Sequence, residues 1–268
     1  MRAILTALSL LLCAFAPPAL AERVNVAAAS SLQFVMPRLV ERFAERADAD
    51  PAEPVQVVVT YGASGNLKRQ IEQGAPFTLF LSADERRALE LEQSGFAEQP
   101  GQVYAHGRLV WLQRADHPLP SEQAPLAGVR QAIEARQRGD AVRRIAMANP
   151  RHAPYGMAAQ QVLAREGLWD ASEPLRLMGE NVAQAAQFAL SAEAQGGFAA
   201  YSLVKAPALA KRASWRLIPA SWHAPIVQRM VLLKEAGPGA TAFYQFLQSA
   251  EAISVLEAEG FGSPADGR

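Results

Sequence analysis

The chain has 268 residues, half of them apolar, and its 26 basic residues balance 26 acidic ones. That is enough apolar length for one or two self-supporting domains, and the absence of a basic stripe argues against a nucleic-acid partner. The single cysteine, Cys13, falls in a leader segment, so a mature chain without it has no disulfide, thiolate or cysteine metal site.

The leader is read from Met1-Arg2 as a short positive start, Ile4–Ala16 as an apolar run, Pro17-Pro18 as its break and Ala19-Leu20-Ala21 as a small-x-small cleavage site. This predicts a secretory signal peptide over 1–21, cleaved after Ala21. Leu12 occupies the place where a lipidated Cys13 would need a small residue, so a lipoprotein is not expected. The apolar run is too short to span a bilayer and no later stretch approaches the needed length, so the protein is not expected to be membrane-embedded. Losing Arg2 leaves 25 basic against 26 acidic residues, a net charge of −1.

From Val24 the pattern alternates. Val24–Ala28 predicts a buried strand, and Ala29-Ser30-Ser31-Leu32 turns it into a helix carrying Phe34, Val35, Leu39, Val40 and Phe43. Pro37 inside that helix predicts a kink or a separately formed first turn. Val55–Thr60 predicts the next strand, followed by Tyr61-Gly62-Ala63-Ser64-Gly65-Asn66-Leu67, with Ser64 expected at the N-cap of a helix whose apolar stripe is Leu67 and Ile71. Phe77–Leu81 and a helix after Asp84 continue the alternation, and Val103–Leu112 predicts one longer strand. A second unit follows: a helix around Val129–Arg136, a strand at Arg144–Ala148, a helix from Pro154 to about Glu166, strands at Leu175–Met178 and Gly197–Tyr201, and between them a helix from Asn181-Val182 to about Leu190. Ile226–Leu233 resembles Val103–Leu112 in length and apolar character, and the helices Thr241–Gln248 and Ala250–Glu259 end on Gly260, a suitable C′ residue. The expectation is an α/β protein of two lobes, each a mainly parallel sheet flanked by helices. The first lobe takes residues 22–104 plus 229–268 and the second 105–228, joined by tight crossovers.

Four helix starts stand out: Ser30-Ser31, Ser64-Gly65, Pro154-Tyr155-Gly156 and Asn181-Val182. Each start offers free N–H donors and a partial positive charge, and ligands of open α/β sheets sit at the carboxyl ends of the strands. Two starts belong to each lobe, so a closed cleft could gather all four around a small anion.

Val26-Ala27-Ala28-Ala29-Ser30-Ser31-Leu32, Tyr61 to Leu67 with Gln70-Ile71 and Gly74-Ala75-Pro76, and Leu79-Phe80-Leu81-Ser82-Ala83-Asp84 resemble the periplasmic molybdate-binding proteins (ModA) of ABC importers. Ala148-Asn149-Pro150, Pro154-Tyr155-Gly156, Glu180-Asn181-Val182, Ala200-Tyr201-Ser202 and the region from Phe243-Tyr244 to Phe261 continue the match in order, over essentially all of the mature chain. The resemblance implies the two-lobed, venus-flytrap fold of type II periplasmic binding proteins. It also implies a periplasmic location, molybdate or tungstate as ligand, no cofactor, a membrane permease of an ABC importer as partner, and a monomer. Ser31 and Ser64 match the family's two binding serines, each acting through hydroxyl and backbone N–H. Tyr155 and Val182 fall on positions that donate backbone N–H groups, and Tyr201 on a tyrosine whose phenol donates to the ligand. No residue would touch the metal itself. Thr78 departs from the family, which has Asp there, and this bears on hydrogen bonding at the end of that strand.

Such hydroxyl and N–H donors satisfy a fully deprotonated dianion, and no carboxylate or imidazole among them could accept a proton from it, so a monoprotonated phosphate is expected to leave its O–H unpaired. Roughly seven donors at about 1.5–3 kcal/mol each, less the cost of closure, give a net binding of about −8 to −12 kcal/mol. A sulfate or other tetrahedral-oxyanion receptor is the alternative within this class. Outside it, Ser202-Leu203-Val204-Lys205 matches the S-x-x-K of exported serine hydrolases, but no K-T-G follows. Gly62-Ala63-Ser64-Gly65 lacks the second spacer of the G-x-S-x-G elbow. His106, His117, His152 and His223 show no H-x-x-x-H pairing, so a binding protein rather than an enzyme is expected.

Overall fold

The computed structural model describes residues 21–46 and 55–265, so the predicted signal peptide, apart from Ala21, lies outside the described residues. In chain order the first part comprises β1 (Glu22–Ala29), a single 3₁₀ turn Ser30–Leu32, α1 (Met36–Ala44), β2 (Val55–Gly62), α2 (Ser64–Glu72), β3 (Leu79–Ser82), α3 (Glu85–Gln93) and β4 (Gln102–Gly107). The middle part comprises β5 (Leu109–Arg114), α4 (Ala127–Arg138), β6 (Arg144–Ala148), α5 (Pro154–Arg165), α6 (Trp169–Ser172), β7 (Arg176–Gly179), α7 (Val182–Ala189), β8 (Ala194–Ala200), α8 (Tyr201–Val204), α9 (Pro207–Ala210) and β9 (Ala213–Leu217). The chain then returns through β10 (Ile226–Leu232) and finishes in α10 (Pro238–Phe246) and α11 (Ala250–Ala258).

These strands build two five-stranded sheets, ordered β2-β1-β3-β10-β4 and β7-β6-β8-β5-β9. Both sheets are mixed in the same way. Strands linked by helices within a lobe run parallel, β1 with β2 and β3, β6 with β7 and β8. The strand that enters from the other lobe runs against them: β10 is antiparallel to β3 and β4, and β5 to β8 and β9. Parallel neighbours need a crossover helix, whereas a strand arriving from outside the lobe has no such constraint. The result is a two-lobed α/β fold.

The single long strand expected at Val103–Leu112 is two strands in different sheets, parted at Arg108. Sheet membership therefore changes at Arg108 and again between Leu217 and Ile226, whereas the boundaries expected after residues 104 and 228 fall inside β4 and β10. The break is not legible in the sequence because apolar residues resume at Leu109 after only His106-Gly107-Arg108. Pro37 sits in the first turn of α1, after the separate Ser30–Leu32 turn, where its missing N–H costs nothing. At the other end of the chain, Gly260 has φ +93°, its N–H donates to Glu257 O and that of Phe261 to Leu256 O. This is a Schellman closure of α11.

Each sheet carries its own core. Trp111 and Phe198 meet edge to face at 5.6 Å in the second lobe, and Phe43 does the same with Phe243 at 5.0 Å in the first. Thr78 takes the strand-end role without a carboxylate: its N–H and hydroxyl both donate to Asn25 O, and its carbonyl accepts from Leu233 N–H.

Candidate functional site

The carboxyl end of β1 passes directly into the Ser30–Leu32 turn, and that of β2 into α2, so the first lobe aims two helical starts at the second. Ser31 is 1% exposed and its Oγ has no hydrogen-bond partner of normal geometry. Ser64 is fully buried. It is the first residue of α2 rather than its N-cap, which is Ala63, in extended conformation. The one-residue shift has a consequence: Ser64 Oγ caps nothing on its own helix and instead accepts a hydrogen bond from Ala83 N–H at 2.9 Å. Ser64 N–H, in the first helical turn, has no intrahelical acceptor. The next donor, Gly65 N–H, is given to His152 O across the cleft at 3.0 Å.

The second lobe answers with α5 and α7. Pro154 opens α5 with Tyr155 behind it, and Gly156 lets the helix start close on β6, where a Cβ would lie 2.2 Å from Ala148 O. Asn181 caps α7, its Oδ1 accepting from Ala183 and Gln184 N–H at 3.0 Å each. Val182 N–H, one position earlier, has no intrahelical acceptor. Ala183 N–H also reaches Ser30 Oγ of the first lobe at 3.4 Å, so α7 starts against the Ser30-Ser31 turn. Tyr155 and Val182 are 2% and 4% exposed, and with the two serines they mark a cleft that is shut.

The ring of Tyr201 makes a separate set of contacts. It packs on Trp215 at 4.8 Å between centroids and under the Arg108 guanidinium at 5.1 Å, and a Cβ on Gly260 would lie 2.9 Å from its Cδ1. Tyr201 is thus placed at the crossing between lobes, with its N–H donating to Arg108 O. The following residue turns toward the cleft instead: Ser202 Oγ, buried, donates to Ser31 O at 2.8 Å and holds the turn in place. Lys205, by contrast, is exposed.

Behind Ser31 lies a buried polar chain that the sequence did not suggest. Tyr104 Oη donates to Gln228 Oε1 at 2.8 Å, and Gln228 Nε2 donates to Tyr155 Oη at 3.2 Å. Burial pushes both phenols above their ordinary pKa, so both stay protonated; the Ser31 and Gln228 side chains beside Tyr155 only partly offset that rise. A glutamine buried in the middle of β10 was the available signal.

Ionisable groups stand at the rim. His152 Nε2 lies 3.5 Å from Glu180, and Arg87 reaches Arg151 O at 3.3 Å. Among the described residues no cluster of three or more His, Cys, Asp or Glu could hold a bare metal ion.

The chain has relatives among known proteins. The chain is 32% identical over 257 residues to the molybdate-binding protein ModA of Azotobacter vinelandii, covering 94% of this chain and 93% of that one. It is 35% identical over 211 residues to ModA of Rhodobacter capsulatus, covering 76% and 77%. The solved periplasmic molybdate-binding protein of Azotobacter vinelandii superposes with a TM-score of 0.74 at 30% identity, covering 89% of this chain and 98% of that one. The sulfate-binding protein SubI of Mycobacterium tuberculosis H37Rv shares the fold, with a TM-score of 0.70 at 14% identity over 92% and 88% of the two chains. Residues 24–262 match the family described as bacterial extracellular solute-binding protein, and the chain belongs to that family of binding proteins.

Proposed function

We propose that this protein captures molybdate in the periplasm, with tungstate as a second ligand of the same charge and shape, and delivers it to the membrane permease of an ABC importer. What supports the reading is the approach of helix starts from the two lobes, Ala183 N–H of α7 reaching Ser30 Oγ and Gly65 N–H of α2 reaching His152 O just before α5, together with the burial of Ser31, Ser64, Tyr155 and Val182. The relatives named for molybdate binding support it from a separate direction. In this reading Ser31 and Ser64 bind through hydroxyl and N–H, and Tyr155 and Val182 through N–H alone. Tyr201 is left out of the ligand shell and acts at the crossing between lobes. The ion is held by its oxygens, and the receptor works as a monomer whose two lobes together form the face shown to the permease.

Calorimetric titration of the signal-free protein with molybdate, tungstate, sulfate and phosphate tests the assignment. Molybdate and tungstate are expected to bind in the micromolar to nanomolar range, about −8 to −12 kcal/mol. Sulfate binding as tight as molybdate would make this a general sulfate-type receptor and overturn the molybdate reading. Association with the permease is expected to require ligand, and copurification indifferent to ligand would refute delivery in the closed form.

A further inference from the structure

We propose that Ser202 is the latch of the closed cleft: its hydroxyl ties the Ser30–Leu32 turn of the first lobe to the hinge through α8, and so slows release of a bound oxyanion without touching it. The inference rests on the oxyanion reading above and adds to it a positioning residue that acts through Ser31.

The carbonyls of the turn are satisfied from different places. Ser30 O and Leu32 O accept from Gln33 and Val35 N–H, a few residues along the same segment. Ser31 O, between them, accepts from Ser202 Oγ at 2.8 Å, across 171 positions of sequence and from the other lobe. Both residues are buried, Ser31 1% and Ser202 5% exposed, so the bond is shielded from water while the cleft is shut. It is shorter than the bonds that cross from Gly65 N–H to His152 O, 3.0 Å, and from Ala183 N–H to Ser30 Oγ, 3.4 Å. Ser31 is the residue proposed to hold the ion through its N–H and hydroxyl. An anion has no use for the carbonyl of that residue, and it is by this carbonyl that the opposite lobe grips the turn.

One residue back from Ser202 lies the hinge. Tyr201 N–H donates to Arg108 O at 2.9 Å, and Arg108 is where the chain passes from β4 of one sheet into β5 of the other. The Tyr201 ring is fixed at the same place, against Trp215, the Arg108 guanidinium and Gly260. Two neighbouring residues thus connect the pivot to the ligand-binding turn: Tyr201 holds α8 at the crossing and Ser202 reaches Ser31. Opening the cleft must pull the hydroxyl from the carbonyl before water can reach either, which raises the barrier to release. Capture is governed by encounter with the open cleft, where the bond is not yet made.

The test is Ser202→Ala in the signal-free protein, with affinities for molybdate and tungstate measured by calorimetry and release timed by chasing labelled molybdate with excess unlabelled ion. Release is expected to quicken about tenfold and affinity for both ions to fall by the same factor, so that the association rate given by their quotient stays within about twofold of wild type. Thermal unfolding without ligand is expected to match wild type, because the open form does not contain the bond. A hydroxyl that only braces the fold would lower the ligand-free stability and leave release unchanged, and that result overturns the proposal. A changed molybdate-to-tungstate ratio overturns it as well, by placing Ser202 against the ion. Ser202→Cys, close in size but a weak donor, is expected to quicken release by a smaller factor, and it carries the test if Ser202→Ala fails to fold by circular dichroism. If the wild type binds sulfate and not molybdate, the molybdate reading falls and release of labelled sulfate decides the role of Ser202. If it binds no oxyanion, both fall.

Discussion

Gly65 N–H, in the first turn of α2, donates to the carbonyl oxygen of His152 in the opposite lobe at 3.0 Å, and the two backbones touch because residue 65 has no side chain. A Cβ at that position would lie 3.0 Å from His152 Cβ and O and 3.1 Å from its Cα. None of those atoms is the end of a flexible side chain, so the lobes would have to part slightly. Gly65→Ala is therefore expected to separate binding from stability. The ligand-free protein should be as stable as wild type or more so, by up to about 1 kcal/mol, since Ala is the better helix residue. Oxyanion affinity should fall about tenfold because closure is strained. Thermal unfolding without ligand and calorimetry with it measure the two terms, and an undiminished affinity would mean that this contact does not belong to the ligand-bound form.

Ser64→Ala should lower both quantities. The hydroxyl is proposed to donate to the ligand, and losing a donor to a charged group costs about 1.5–3 kcal/mol of binding. It also accepts from Ala83 N–H in the interior, and leaving that donor unpaired costs about 1–3 kcal/mol of folding stability. Denaturant unfolding beside calorimetry would show both losses. A loss of stability with affinity intact would make Ser64 a structural residue that ties α2 to the end of β3.

Much of this was legible in the sequence because caps and breakers act locally. Pro154 and Asn181 start their helices where expected, and Gly260 ends α11, since each choice depends on a few neighbouring backbone groups. The misreadings fall where distant contacts decide. Ser64 moves one place into its helix because Ala83, nineteen residues on, claims its oxygen. β9 was not foreseen because none of its residues is fully buried, so Ala213–Leu217 carries no apolar run. Tyr201 and Ser202 are adjacent, and only the tertiary fold shows that the serine faces Ser31 while the ring turns to Trp215 and Arg108. The link from Gln228 to Tyr155 joins positions 73 residues apart, beyond the reach of any local pattern.

Tyr201→Phe tests the revised placement directly. The ring's contacts with Trp215, Arg108 and Gly260 survive the loss of a hydroxyl, and that hydroxyl makes no hydrogen bond among the described residues. Affinity for molybdate and thermal stability are both expected to stay within about 0.5 kcal/mol of wild type. A drop in affinity of about tenfold or more with stability unchanged would return the phenol to the ligand shell.

Alkaline pH should loosen the protein through its buried phenols. Tyr104 and Tyr155 both have folded-state pKa values raised by burial, and Tyr61 and Tyr244, less buried, are raised in the same direction. A raised pKa means that the folded chain holds the proton more tightly than the unfolded chain. The corresponding stability is therefore fully present below the unfolded value of about 10 and is lost as pH climbs from there toward the folded values. Thermal unfolding between pH 7 and 9 should be nearly flat on this account and should drop from pH 10 to 11. Tyr104→Phe sharpens the comparison. It leaves Gln228 Oε1 without its donor and so should cost about 1–3 kcal/mol at pH 7. It also removes one of the most deeply buried of these phenols, so the further loss between pH 9 and 11 should be smaller than in wild type. An equally steep alkaline loss in the variant would mean that Tyr104 does not carry the linkage and that the less buried phenols or other groups do.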